Sequence, residues 1–260
     1  MVILKNFIKN LLPLFLYRIL KKNFEKNKFT FVEKFSSYDA ARSSIKITDY
    51  INEDLELSKS TKFHQLEDFE FDHKHNLLPI IFSILEKINS ILEIGGGDNP
   101  ALLYIKKANI NKNIFSSVIE KKSFVKKFEN KISNEYKDKI EYKDNLNDIR
   151  NKKYDVAYFG ASIAYIQNHE NLLMDIFKFN PTYIIISRTF FNNTDNEDFF
   201  VLQSNIANNI FPYKIICLKS FIKFLNLNSY SLIYEVELPT SHKHQYLGNI
   251  IYKDLIFKKE

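Results

Sequence analysis

The chain has 260 residues, 45% of them hydrophobic, which is enough to bury the core of one large domain with or without an appendage. Its formal charge is +6, but the lysines are dispersed among Asn and Ile along the whole chain, which argues against a nucleic-acid footprint, since those are clustered. A single cysteine, Cys217, excludes an internal disulfide and a cysteine-based zinc cluster and fits a reducing compartment, the cytoplasm.

Residues 1–24 interleave Leu11, Leu12, Leu14, Phe15, Leu16, Ile19 and Leu20 with Lys5, Lys9, Arg18, Lys21 and Lys22. Pro13 and Arg18 leave neither the clean apolar region nor the cleavage site of a signal peptide. The apolar run is also too short to span a bilayer. Two readings remain: a helix packed on the domain, or an interfacial helix in peripheral contact with the inner face of the membrane. Residues 27–87 contain no glycine and only Pro79, and read as mainly helical, with Ser36 or Ser37 as a helix cap. His73 and His75 would point to different sides of a helix and have no companions that complete a ligand set, so no metal is expected. Helical periodicity over 77–88 then delivers the chain to a first strand. The division that follows is a helical extension or cap over residues 1–80 and a main domain over 81–260.

Three of the five glycines, Gly95, Gly96 and Gly97, directly follow the apolar run Ile91, Leu92, Glu93 and Ile94, and a helix-like stretch over 101–108 follows them. Glycine permits positive φ and removes the Cβ that would hold a ligand off the main chain. An ordinary tight turn is the competing reading. Dinucleotides and S-adenosylmethionine both use such turns, and Asp98 separates them. A carboxylate at a helix start repels a pyrophosphate but suits the amino group of S-adenosylmethionine. Pro100 also stands where the third glycine of G-x-G-x-x-G belongs, which leaves an NAD-dependent oxidoreductase as an alternative with two features against it.

Residues 114–120 read as a second strand ending in Glu120. That acid lies a little more than 20 residues past the glycines, where a carboxylate accepts hydrogen bonds from ribose hydroxyls. A basic amphipathic helix over 121–135 and a third strand over 140–143 follow. Asp144, in the next loop, can meet the adenine amine or simply form the turn. An apolar strand over 154–162 contains Gly160, whose missing side chain opens space beneath a cofactor or permits close packing. Tyr165 and His169 are candidate bases, the imidazole having an ordinary pKa near 6.5. A helix over 172–179 leads to a strand over 183–187, with Arg188 and Thr189 at its carboxyl end. A long cation there can clamp an acidic or hydroxylated acceptor, or form an ordinary ion pair.

Residues 192–209 read as polar and then helical, a segment placed to close over an acceptor. Phe211, Pro212 and Tyr213 read as a loop, and 220–227 as a helix capped by Ser220. Strands over 230–238 and 248–257 are expected to pair antiparallel because their connection is short. His242 and His244 in that connection have no partner ligand placed by the sequence.

This order of elements, a glycine turn after the first strand of an α/β unit and an acid after the second, resembles the class I S-adenosylmethionine-dependent methyltransferases. Within them the chain is similar, over nearly its whole length, to a methyltransferase family often encoded with surface-polysaccharide genes. The likeness rests on the segments Leu11-Leu12-Pro13, Tyr38-Asp39-Ala40-Ala41, Leu92-Glu93-Ile94-Gly95-Gly96-Gly97, Ala164-Tyr165-Ile166 and Ile184-Ile185-Ile186-Ser187-Arg188-Thr189. Tyr38 stands where members often carry Trp, which this chain lacks altogether, and Asn99 replaces the last small residue of the wider class pattern. The resemblance implies an α/β Rossmann-like fold: a mostly parallel sheet with an antiparallel C-terminal hairpin and helices on both faces. It implies S-adenosylmethionine as cofactor, with Glu93, Gly95, Gly96, Gly97, Asp98, Glu120, Asp144 and Gly160 around it. A small-molecule or glycan acceptor, methylated on a sugar or related hydroxyl, would meet Tyr165, His169 and Arg188. A non-catalytic protein retaining this fold in glycan assembly is the alternative from another class.

Overall fold

The computed structural model describes residues 29–45, 88–97, 100–107, 113–130, 132, 134–151, 153–194, 197–205, 210–238 and 250–260. The expectations for residues 1–24, 77–87, His73, His75, Asp98, Asn99, His242 and His244 lie outside the described residues.

In chain order the strands are β1 (Phe29–Phe35), β2 (Ser90–Ile94), β3 (Phe115–Ile119), β4 (Ile140–Lys143), β5 (Val156–Gly160), β6 (Tyr183–Asn192), β7 (Phe199–Asn205), β8 (Ile210–Cys217), β9 (Tyr230–Glu237) and β10 (Ile250–Lys259). The helices are α1 (Tyr38–Ser43), α2 (Ala101–Lys107), α3 (Lys122–Glu129), α4 (His169–Phe177) and α5 (Leu218–Leu227). The main sheet runs β4-β3-β2-β5-β6-β10-β9. Strands β2 to β6 are mutually parallel, and β10 lies antiparallel between β6 and β9. The parallel strands are buried on both faces, which is why they read as nearly unbroken apolar runs.

Alternation along each strand divides the core into two layers. On one face Ile91, Val118, Tyr142 and Tyr158 pack against Leu102 and Ile105 of α2 and Phe124 and Phe128 of α3. On the other, Leu92, Phe159, Ile184, Leu255 and Phe257 pack against Leu173 and Ile176 of α4 and Phe221 and Leu225 of α5. Each fully buried Leu, Ile or Phe here stabilises the fold by roughly 1.5–3 kcal/mol relative to exposure. Chain direction reverses between β2, which leads outward to β3 and β4, and β5, which leads to β6. The carboxyl ends of β2 and β5 therefore frame the crevice where ligands bind in open α/β sheets.

Three expectations are corrected in the second half of the chain and one in the first. Residues 29–35, read as part of a helical lead-in, form β1, which pairs antiparallel with β7. Residues 199–205, read as helical, are β7 itself. Pro212 sits inside β8 opposite Leu202 and not in a loop. Proline is tolerated there because β8 pairs with β6 only at Ile216 and Cys217, so nothing needs an N–H from residue 212 on that side. α5 begins at Leu218 behind Cys217, with Ser220 inside the helix and no side-chain cap. Strands β1, β7 and β8 thus form a side sheet hung from the far end of β6. The cap expected at Ser36 or Ser37 is Ser37, whose side chain accepts the N–H of Ala40 at 3.1 Å.

Candidate active site

The loop after β2 is shaped by backbone conformations that side chains resist. Gly95 and Gly97 have φ of +71° and +61°. A Cβ on Gly95 would stand 2.7 Å from that of Ser162, and one on Gly96 would meet Glu93 Cδ at 2.8 Å and Val118 Cγ1 at 2.9 Å. Gly97 differs: a Cβ there would meet no atom of the described residues within 4 Å. The Cβ side of Gly97 therefore faces away from the described residues, as a ligand cradle requires.

The turn is held from every side. The Gly95 N–H donates to the Ile119 carbonyl at 2.9 Å, and the Ser162 hydroxyl donates to the Ile94 carbonyl. Tyr142 Oη–H donates to the Gly97 carbonyl at 2.9 Å. Glu120 Oε2 accepts the Gly97 N–H at 3.1 Å, so the acid after β3 and the open glycine are brought together. The Glu120 N–H in turn donates to the Lys143 carbonyl at 2.9 Å, which sets exposed Asp144 in the adjoining loop. Tyr142 and Ser162 were not singled out from the sequence. Only the registers of β3 with β4 and of β2 with β5 reveal that they reach the turn.

Glu93 is buried behind the glycines, with Oε2 accepting the Ala101 N–H at the start of α2 at 2.8 Å. Burial raises its pKa from 4.5 to about 8, against the Ala101 N–H; the charge of Glu120 raises it further, while the Arg188 guanidinium opposes the rise. An unfolded chain releases this proton near its ordinary value, so the folded state binds more protons between about pH 4.5 and 8. Stability should fall as pH rises through that window, with a slope of at most about 1.4 kcal/mol per pH unit. In Glu93→Gln, which keeps an acceptor for Ala101, urea unfolding from pH 5 to 8.5 is expected to lose this slope.

On the neighbouring strands, Gly160 ends β5 with Tyr158 alongside. A Cβ on Gly160 would meet the Tyr158 ring at 3.0 Å and its hydroxyl at 3.1 Å, so close packing accounts for this glycine. Arg188 Nη2 donates to the Gly160 carbonyl at 3.1 Å, and the Arg188 N–H donates to buried Asp254 Oδ1 at 2.6 Å. Arg188 lies inside β6 and not past its end. The parallel pairing with β5 stops at Ser187, which keeps Arg188 at the level of the crevice.

The two candidate bases separate. Tyr165, 44% exposed, donates its hydroxyl proton to Gln203 Oε1 at 2.6 Å and packs against Phe211 and Tyr213, so it stands where the main sheet meets the side sheet. His169 is only 4% exposed and opens α4, with Nδ1 3.1 Å from Lys214 Nζ. That ring is enclosed in packing. Lys214 also donates to the Gln167 carbonyl at 2.7 Å and lies 3.6 Å from Asp198.

Burial and then the Lys214 charge press the His169 pKa from 6.5 to about 4. The unfolded chain binds more protons between those values, so stability is lost as pH falls from about 6.5 to 4. His169→Asn, which can still accept from Lys214, is expected to flatten the drop in melting temperature between pH 7 and 4.5.

No family model matches the sequence, and no curated protein matches it. Solved structures do. The Burkholderia thailandensis 1,6-didemethyltoxoflavin N1-methyltransferase, with 1,6-didemethyltoxoflavin and S-adenosylhomocysteine bound, aligns over 89% of this chain and 94% of its own, at 11% identity and a TM-score of 0.51. The N-terminal domain of EvdMO1, crystallised in the presence of SAH and D-fucose, aligns over 83% and 100% at 9% identity and a TM-score of 0.53. Geranyl diphosphate C-methyltransferase from Streptomyces coelicolor aligns over 71% and 78% at 10% identity and a TM-score of 0.52. This chain has the class I methyltransferase fold.

Within the class I methyltransferase fold, the glycine turn and Glu120 follow the first two strands of the parallel sheet, Glu93 lies inside the first of these, and Gly160 and Arg188 lie across the switch point from them. The side sheet of β1, β7 and β8 stands beside that arrangement, joined to it through β6 and Tyr165. Among the described residues, no helix is long and apolar enough to cross a membrane.

Proposed function

We propose that the protein is an S-adenosylmethionine-dependent methyltransferase acting on a hydroxyl of a sugar or related acceptor in surface-polysaccharide biosynthesis. The observation that carries this reading is the pairing of an open, left-handed Gly97 with the Glu120 carboxylate. A Cβ on Gly97 would meet none of the described residues, which leaves room for a cofactor, and the carboxylate has two oxygens for two vicinal ribose hydroxyls. The fold supports the same class of chemistry. The sugar acceptor draws support from the family resemblance and from a structural neighbour crystallised in the presence of D-fucose.

S-adenosylmethionine, when bound, supplies a methyl group on a sulfonium. The residues of this chain have the remaining tasks, chiefly alignment of the acceptor oxygen in a dry crevice. Glu120 holds the ribose, the glycine turn allows close main-chain approach, and Glu93 keeps the turn and the start of α2 in register. The acceptor oxygen gains a methyl and gives up its proton. Tyr165 is the candidate base open to solvent on the acceptor side. Arg188 orients the acceptor from β6.

Isothermal titration with S-adenosylhomocysteine tests the reading, followed by transfer of labelled methyl groups to a panel of sugars. Micromolar binding is the expected result. Absence of binding at millimolar concentration would overturn the enzyme reading and leave a non-catalytic protein of the same fold.

A further inference from the structure

We propose that the acceptor carries an anionic group, carboxylate or phosphate, and that the Arg188 guanidinium receives it. The inference rests on the methyltransferase reading for the word acceptor, but its geometry stands apart from the donor site.

Arg188 is held in a conformation that an L-residue adopts at a cost. Its φ is +55°, in the left-handed region, and nothing about arginine favours that. The cause is a β-bulge: Thr189 pairs with Lys253 and Ile186 with Leu255, so Ser187 and Arg188 together face Asp254 alone. Bulges re-aim side chains. By alternation Arg188 would follow Ile184 and Ile186 into the apolar layer below α4 and α5. The bulge instead brings its Nη2 to the Gly160 carbonyl, at the end of the neighbouring strand.

Asp254 fixes this arrangement through the main chain. Its Oδ1 accepts both the Arg188 N–H at 2.6 Å and the Ser187 hydroxyl at 2.9 Å. The carboxylate therefore holds the main chain. Among the described residues no carboxylate oxygen lies within 4 Å of the guanidinium, and its Nε–H is buried without an acceptor. A buried donor without a partner destabilises the fold, and a bound oxyanion relieves that cost. Glu93 is the other nearby acid, and its raised pKa leaves it largely protonated near neutral pH. A partly buried, strained cation with no carboxylate in ion-pair contact among the described residues and with Nε–H unbonded is a receptor for the planar or tetrahedral oxyanions that a guanidinium fork grips in two places.

Position assigns this anion to the acceptor and not to the donor. The Arg188 main chain stands two strand spacings, about 10 Å, from the glycine turn, and its guanidinium reaches back one spacing to the end of β5. A group held by the guanidinium lies at the edge between β5 and β6, on the β6 side of the glycine turn.

Titration of the full chain with glucuronate, glucose 1-phosphate, inorganic phosphate and glucose, with and without S-adenosylhomocysteine, tests the assignment. Glucuronate or one of the two phosphates should bind and glucose should not; which anion binds separates carboxylate from phosphate. Arg188→Gln should weaken the anion at least tenfold and change S-adenosylhomocysteine affinity less than threefold. Arg188→Lys, which keeps the charge but not the fork, should fall between. Glucose binding as well as glucuronate, no binding by any anion, or loss of S-adenosylhomocysteine affinity in Arg188→Gln would each overturn it. Anion binding that depends on Arg188 in a protein unable to bind S-adenosylhomocysteine would sink the donor reading while leaving this site intact.

Discussion

Gly97→Ala is expected to leave the protein folded and unable to hold its cofactor. The added methyl meets no atom of the described residues within 4 Å, so the cost to stability is set by the left-handed φ of +61°, roughly 1–2 kcal/mol. For a chain of this length that lowers the melting temperature by only about 2–8 °C. The same methyl projects into the space assigned to the cofactor, and loss of close main-chain contact there should cost about 3 kcal/mol of binding, on the order of a hundredfold. Gly95→Ala reverses the balance. Its methyl would stand 2.7 Å from Ser162 Cβ with φ at +71°, so backbone must shift and the variant should unfold several degrees lower than Gly97→Ala. Thermal melts beside S-adenosylhomocysteine titrations separate the two effects. Gly97→Ala binding within threefold of the parent protein would remove the cradle from the argument.

Glu120→Ala carries the second large effect. Its carboxylate now accepts from the Gly97 N–H at 3.1 Å and the Lys121 N–H at 3.0 Å, one on each oxygen. Hydrogen bonds to a charged group contribute about 1.5–3 kcal/mol each, so losing two from ribose hydroxyls predicts roughly a hundredfold weaker S-adenosylhomocysteine binding or more. Glu120→Gln keeps one neutral acceptor and should lose closer to tenfold. Adenosine serves as the internal control, because it carries the ribose but not the amino-acid end. Its affinity should fall in parallel with that of S-adenosylhomocysteine; unchanged adenosine binding would place the ribose elsewhere.

The parallel sheet and the cofactor turn were legible in the sequence because their signals are local. Strands buried on both faces write continuous apolar runs, as in Ile91 to Ile94 and Tyr183 to Ile186, and the distance from Gly97 to Glu120 is set by one βαβ unit. The side sheet was hidden because its pairings are remote. β1 is a strand by virtue of β7, and the apolar side chains of β7 carry no marker that separates strand from helix in so short a run. Pro212 read as a loop since a strand proline is acceptable only where one edge goes unpaired, a property of the assembled sheet. Arg188 was placed near the crevice from the sequence, but its bulge depends on Asp254, 66 residues away. The burial of His169 was hidden for a similar reason: it comes from Lys214 and Phe221, which arrive with β8 and α5.

The antiparallel match of β1 with β7 has a consequence for biosynthesis. The nascent chain releases Phe29–Phe35 first, and the strand that pairs with it follows about 165 residues later. At about 5–20 residues per second the ribosome leaves that phenylalanine-rich stretch waiting for roughly 10–30 s. During that interval it is a sticky edge open to other polypeptides, so yield in a heterologous host should respond to holdase chaperones and to slower growth temperature more than to the strength of the finished fold.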